Sequence, residues 1–187
     1  MERFDRSLDG DRIHTEEFAQ VLRYEPRHKY GKGIAQDYAA MLRILDQLSN
    51  KPAQDAQEFV QSFVAFILMG NTDAHLKNWA LRYPDGRRPE LAPLYDPVCI
   101  TALFDDVPLA DYGINRAIDG QLRAFNWHDL DTLLQQAQLP RRARLLQLAK
   151  QVVKQAQADW PALLKEAPDN VRSSISARLN GGLSLTQ

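Results

Sequence analysis

Apolar positions Tyr38, Met41, Leu42, Leu45 and Leu48 recur at helical spacing and predict an amphipathic helix, broken by Ser49, Asn50 and Pro52. Asp55 with Glu58 has the pattern of a capping box at the start of the next helix. That helix carries Phe59, Val60, Phe63, Val64, Phe66, Ile67 and Leu68, apolar nearly all round, so it belongs at the centre of a core. Gly70 stops it, and a polar stretch follows at 71–78. Upstream, residues 1–6 read as a short strand end, and Thr15 as the cap of a helix bearing Phe18, Val21 and Leu22. Downstream, 79–83 and 90–92 flank Pro84-Asp85-Gly86 and predict a β-hairpin. The 97–125 stretch is mixed and reads as loop-rich. Asn126 caps a helix over 127–137, and Pro140 suits the first position of a helix carrying Leu145, Leu146, Leu148, Ala149, Val152 and Val153. A last helix begins near Trp160 or after Pro168 and ends at Gly181-Gly182, leaving 183–187 as a loose tail. No internal repeat or linker interrupts 1–187, which reads as one mainly α lobe with a small β-hairpin.

Composition narrows the function classes. Apolar residues make up 44% and charged residues 25% of 187, ordinary for a globular chain with a real core. A net charge of −1 supplies no bulk attraction to nucleic acid or anionic lipid, so direct nucleic-acid binding is not expected. One cysteine, Cys99, excludes an intrachain disulfide. The apolar run 63–69 is too short to span a bilayer, and the charged start is no signal peptide, so the expectation is a cytoplasmic protein without membrane contact.

The chemistry concentrates in Gly70-Asn71-Thr72-Asp73-Ala74-His75-Leu76-Lys77-Asn78 and in Leu94-Tyr95-Asp96. A polar cluster directly after a rigid apolar helix is where a site can be held, although a plain hydrophilic loop has the same composition. Spacing separates the two readings. Asp73 and Asn78 stand five positions apart, as in the D-x-x-x-x-N of protein-kinase catalytic loops. There a hairpin and a second, magnesium-binding Asp follow; here the hairpin is 79–92 and the Asp is Asp96. Asp73 suits a base for an acceptor hydroxyl, and Asn78 and Asp96 offer the hard oxygens that Mg²⁺ takes. His75 or Lys77 could offset charge on a transferring phosphoryl group.

At these residues the chain resembles the HipA-like serine/threonine kinases, toxins of toxin–antitoxin systems, in their C-terminal lobe. The resemblance is carried by Gly70 to Asn78, by Leu91-Ala-Pro-Leu-Tyr-Asp96 and by Glu2-Arg-Phe-Asp-Arg6, with Thr15 to Gln20 and His28-Lys-Tyr30 between them. It implies a protein-kinase-like C-terminal lobe and transfer of the ATP γ-phosphoryl group to a protein serine or threonine. It implies that Asp73 is the catalytic base, with His75 and Lys77 in the catalytic loop. Asn78 and Asp96 would be the Mg²⁺ ligands, and His75 would lie near the nucleotide phosphates. Glu2, Phe4 and Asp5 would belong to the hinge that meets adenine. It further implies a protein substrate, in some members an aminoacyl-tRNA synthetase, and a helix-turn-helix antitoxin partner.

Full-length members carry a phosphate-covering loop and a nucleotide-contacting Lys before the hinge. Here the hinge-like segment starts at Met1, and no G-x-G-x-x-G or P-loop pattern occurs; Gly31-Lys32-Gly33 reads as a turn. The expectation is a lobe that is incomplete alone. Either another chain or a homo-oligomer completes it, or it is a catalytically inactive remnant that binds partners. His14, His28 and His128 read as surface residues, Cys99 as a small buried side chain, and Trp79, Trp127 and Trp160 as core. Arg141, Arg142 and Arg144 read as a solvated basic face.

Overall fold

The computed structural model describes residues 3–103 and 116–187. Within the span read as one lobe, the chain divides into two compact units. The first comprises Met1–Phe59, Ala74–Asp96 and Leu133–Arg142; the second comprises Val60–Asp73, Pro97–Thr132 and Ala143–Gln187.

In the first unit, β1 (His14–Glu17), β2 (Ala80–Tyr83) and β3 (Glu90–Leu91) form an antiparallel sheet in that order. Thr15 pairs with Arg82 and Glu17 with Ala80, while Leu81 pairs with Leu91. The predicted hairpin is therefore β2–β3, and β1 is a strand the periodicity assigned to a helix. Thr15 lies inside it. The helix behind it, α1 (Phe18–Val21), is a single turn capped by Glu17 rather than by Thr15. Of the strand end expected at 1–6, residues 1 and 2 lie outside the described residues; residues 4–5 form a turn, and Arg6 makes an isolated bridge to Arg12.

Helix α2 (Ile34–Leu48) stands where the apolar spacing put it and buries Tyr38, Met41, Leu42 and Leu45. Helix α3 (Pro52–Met69) begins at Pro52, whose fixed φ suits a first helical residue. Asp55 consequently falls in the first turn and is not the cap. Its buried carboxylate accepts hydrogen bonds from the Ser49 hydroxyl (2.5 Å) and the Leu91 N–H (2.8 Å), tying α3 to β3. Burial pushes that carboxyl above its ordinary value. Tyr38, Phe59 and Trp79 pack as a triangle with ring centroids 4.6 to 5.7 Å apart. Each such aromatic pair contributes about 1 kcal/mol beyond area burial.

In the second unit, the end of α3 buries Val60, Phe63, Val64, Phe66, Ile67 and Leu68, as its all-round apolar pattern predicts. The same unit holds α4 (Arg116–Ala124), α5 (Trp127–Gln136) as far as Thr132, α6 (Arg142–Leu163) from Ala143, and α7 (Asp169–Ala177). The loop-rich expectation for 97–125 falls partly on 104–115, outside the described residues; the described remainder holds α4 and a 3-10 turn at Ile100–Ala102. Asn126 caps α5 as predicted, accepting from the His128 and Asp129 N–H groups at 2.9 and 3.2 Å. Pro140 lies in a turn before α6, and Trp160 sits inside α6 instead of opening a new helix. Trp79 is buried, whereas Trp127 and Trp160 are half-buried. The tail at 183–187 is not loose: beyond Gly181, Leu183 and Leu185 are buried and the Thr186 hydroxyl donates to the Arg178 carbonyl at 2.9 Å. Burial of two apolar side chains, with the Thr186 hydrogen bonds, offsets the entropy lost in ordering the five residues.

Candidate phosphoryl-transfer site

The candidate catalytic segment starts where α3 stops. Gly70 has φ +73°, its N–H donates to the Ile67 carbonyl, and the Asn71 N–H reaches back to the Phe66 carbonyl at 3.0 Å. This Schellman closure satisfies the last carbonyls of the helix and reverses the chain. The fully buried Arg178 adds a 3.0 Å hydrogen bond from Nε to the Ile67 carbonyl. A Cβ at Gly70 would stand 2.1 Å from Thr101 Oγ1, so glycine is required by space as well as by φ. Asn71 and Thr72 are buried, and Asn71 Oδ1 accepts the Asp73 N–H at 3.2 Å, fixing the backbone that carries the half-buried Asp73.

From Ala74 onward the first unit holds the segment by hydrogen bonds to its backbone. The Ala74 carbonyl accepts the Tyr38 hydroxyl (2.7 Å), and the His75 carbonyl accepts the Asn78 N–H (2.8 Å). Leu76, buried, donates its N–H to the Lys29 carbonyl (3.0 Å) and accepts the Ala19 N–H (3.1 Å). The Lys77 carbonyl accepts the Tyr95 hydroxyl (2.8 Å), and the Trp79 carbonyl accepts the Phe18 N–H (2.8 Å). The side chains of His75 and Lys77 remain half-exposed, with the Tyr30 ring edge-on to the His75 imidazole at 5.7 Å.

Asn78 and Asp96, eighteen positions apart, meet: Asn78 Nδ2 donates to Asp96 Oδ2 at 3.0 Å. Asn78 is buried and Asp96 exposed, and Asp96 adopts a left-handed φ of +56° that aspartate tolerates better than most residues. A buried amide beside an exposed carboxylate fits a divalent cation that keeps its remaining positions for water and phosphate oxygens, which is how Mg²⁺ binds in kinases. Among the described residues, no group of three or more His, Cys, Asp and Glu side chains could hold a metal by itself.

Of the hinge positions, Glu2 lies outside the described residues. Phe4 is half-buried and stacks on Tyr95, with centroids 5.4 Å apart at 24°. Asp5 is engaged by Arg3 at 2.7 Å and Arg6 at 3.1 Å, and chiefly its hydrogen bond to Arg3 holds its carboxyl down at about 2. Tyr95 is the residue sequence reasoning left without a role. It joins Phe4 to the Lys77 carbonyl, and burial, then the charges of Glu17 and Asp96, push its phenol up. The partner of its hydroxyl is a backbone carbonyl, so side-chain spacing carried no signal for it.

The elements and these pairings define a protein-kinase-like C-terminal lobe, mainly helical with a three-stranded antiparallel sheet. The chain belongs to the HipA-like C-terminal domain family, which it matches over residues 1–160. It is 34% identical over 168 residues to a Sinorhizobium fredii protein named "Putative kinase Y4dM", covering 90% of this chain and 39% of that one. A second Sinorhizobium fredii protein, "Putative kinase Y4mE", is 32% identical over 132 residues, covering 68% of this chain and 31% of its own length. The chain thus spans well under half the length of these relatives. In fold it is similar to a chain of the Shewanella oneidensis toxin–antitoxin complex of HipA, HipB and operator DNA. The TM-score is 0.66 at 21% identity, covering 98% of this chain and 46% of that one. No described helix is long and apolar enough to cross a membrane.

Proposed function

We propose that this chain is the magnesium-binding, phosphoryl-transfer lobe of a HipA-like serine/threonine kinase. The observation that carries the reading is the Asn78–Asp96 contact at 3.0 Å, made from the two positions that the kinase motif assigns to metal. Asn78 and Asp96 would hold Mg²⁺, which when bound neutralises charge on the ATP phosphates. Asp73 orients the acceptor hydroxyl of a protein serine or threonine and takes its proton as the oxygen attacks the γ-phosphorus. The bond from that phosphorus to the β–γ bridging oxygen breaks, and ADP leaves with the electron pair. His75 and Lys77 add positive charge beside the transferring group. Phe4, on its Tyr95 support, contributes an apolar surface for adenine. The work required of the protein is positioning, which matches a segment whose backbone is bonded at almost every residue.

The substrate is a cytoplasmic protein, with an aminoacyl-tRNA synthetase a reasonable first candidate from the family. The structural neighbour's assembly with HipB supports a DNA-binding antitoxin as partner. The alternative is a partner-binding remnant without transfer activity. Manganese, a spectroscopic stand-in for magnesium, separates the two. Mn²⁺ should bind the chain, and Asp96→Asn and Asn78→Ala should each weaken it at least about tenfold. Asp73→Asn should retain the metal yet lose transfer to a protein hydroxyl in the complete kinase assembly. Mn²⁺ affinity unchanged in both metal-site variants would refute the kinase reading.

A further inference from the structure

The loop preceding α2 is rich in cations. From Pro26 to Gln36 it carries Arg27, His28, Lys29 and Lys32 and no acidic residue. The flanking acids are already committed. Glu25 pairs with Arg27 at 2.7 Å. Asp37 is buried, its carboxylate accepting the N–H groups of Lys32 (2.6 Å) and Gly33 (3.0 Å) and the Tyr24 hydroxyl (2.7 Å). Asp37 therefore fixes the loop backbone and is turned away from solvent. Lys32 and His28 are exposed, and neither Lys32 nor Lys77 has a carboxylate within ion-pair distance among the described residues.

This loop also lies directly on the candidate catalytic segment. The Lys29 carbonyl takes the Leu76 N–H at 3.0 Å, and Tyr30 meets the His75 ring edge-on at 5.7 Å. Lys29 Nζ stands 5.0 Å from the Tyr30 ring centre. Gly31, at φ +65°, approaches so closely that a Cβ would stand 2.2 Å from Asp37 Oδ2 and 2.9 Å from Leu76 Cδ1. The backbone of the loop is thus held beside the phosphoryl-transfer segment and clamped from both sides.

We propose that His28 and Lys32, continued by Lys77, form a cationic rim that selects protein substrates with acidic residues flanking the phosphoacceptor hydroxyl. The proposal rests on the kinase reading above and adds the substrate class. Several exposed cations facing one acidic segment favour association and suppress neutral and basic competitors, while each alone contributes little.

The test is fluorescence anisotropy on the full chain with three short labelled peptides, each with a central serine, flanked by glutamates, by glutamines or by lysines. The glutamate peptide should bind at least about tenfold more tightly than the glutamine peptide, and the preference should shrink with added salt. Lys32→Glu should weaken the glutamate peptide about fivefold and Lys32→Gln less, with circular dichroism unchanged. Lys150→Glu, on the exposed face of α6, should leave binding as it was. Equal binding of the glutamate and glutamine peptides, or equal losses in Lys32→Glu and Lys150→Glu, would overturn the rim. So would inorganic triphosphate displacing the glutamate peptide while losing affinity for Lys32→Glu by the same factor, which would assign these cations to the nucleotide tail. Mn²⁺ titration of Lys32→Glu keeps the two readings apart. Unchanged metal affinity with lost peptide preference supports the rim on a working metal site. Peptide preference in a chain that binds no Mn²⁺ leaves an acidic-segment surface and removes substrate selection.

Discussion

Replacing Gly70 by alanine tests whether the candidate catalytic segment depends on a single glycine. Two penalties follow from the structure. The left-handed φ of +73° costs an L-residue about 1 kcal/mol relative to glycine. The new Cβ would stand 2.1 Å from Thr101 Oγ1 and 3.2 Å from Thr101 Cβ and Cγ2. Thr101 is β-branched and stiff, and its hydroxyl is hydrogen-bonded to Ser174 Oγ at 2.8 Å, so it cannot yield without breaking that bond. Losing the bond adds about 1 kcal/mol, for a total of about 2 kcal/mol. Thr101→Ala removes the obstructing oxygen and one methyl, so Gly70→Ala made in that background should cost only about 1 kcal/mol, the backbone share. Urea unfolding of the four proteins of this double-mutant cycle measures the coupling. A Gly70→Ala penalty of the same size in both backgrounds would refute the steric argument and leave φ alone as the cause.

Three further outcomes are expected. Asp55 has its carboxyl raised by burial, so the folded state holds that proton more strongly than the unfolded chain does. Its effect on stability is therefore favourable at low pH and fades as pH rises from about 4 through the raised value; the stability difference between wild type and Asp55→Asn, followed by denaturation from pH 4 to 7, should shift against wild type. Tyr95→Phe removes the hydroxyl from the Lys77 carbonyl and should cost about 1 kcal/mol, whereas Tyr95→Ala should also release Phe4 and speed amide exchange at 3–6. Asp5, held at about 2 chiefly by its hydrogen bond to Arg3, supports the fold above the ordinary carboxylate range and loses that effect as pH falls toward 2; in Arg3→Ala its NMR titration midpoint should return upward.

What the sequence disclosed depended on how locally each feature is determined. Helices α2 and α3 were legible because their apolar faces repeat over four and five turns and nothing competes with the pattern. The hairpin was legible because Pro84-Asp85-Gly86 is a turn on local grounds. Strand β1 was not, because its four residues, His-Thr-Glu-Glu, are polar and gain their strand geometry from pairing with β2, whose sequence lies some sixty-five positions away. Thr15 then looked like a cap. Asp55 was misread for a similar reason: its partners, Ser49 and Leu91, come from either side of a helix that had already begun at Pro52. The Asn78–Asp96 meeting was inferred from motif order, and the supporting role of Tyr95 was invisible because its hydroxyl acts on a backbone carbonyl, which leaves no pattern in side-chain spacing.

The same asymmetry bears on how such a segment can carry chemistry. Between Ala74 and Trp79, backbone groups carry hydrogen bonds whose partners come from α1, α2, the basic loop and Tyr95. Of the side chains in this stretch, Leu76 and Trp79 fill the core while His75 and Lys77 stay half-exposed. A loop held through its own polar side chains would have to give up those bonds to engage a metal or phosphate, and its backbone would loosen as it did so. A loop held through its carbonyls and amides keeps its geometry while its side chains change partners. Substitutions of the holders, such as Tyr38→Phe at the Ala74 carbonyl, should therefore displace the site without removing any reacting group. Tyr38→Phe keeps the aromatic triangle but leaves the Ala74 carbonyl without its hydroxyl donor, and about 1 kcal/mol of stability should be lost. Amide exchange at Leu76 and Asn78 should rise with it. Exchange confined to Ala74 and its neighbours before Leu76 would mean that each anchor acts alone and that the segment is not held as one unit.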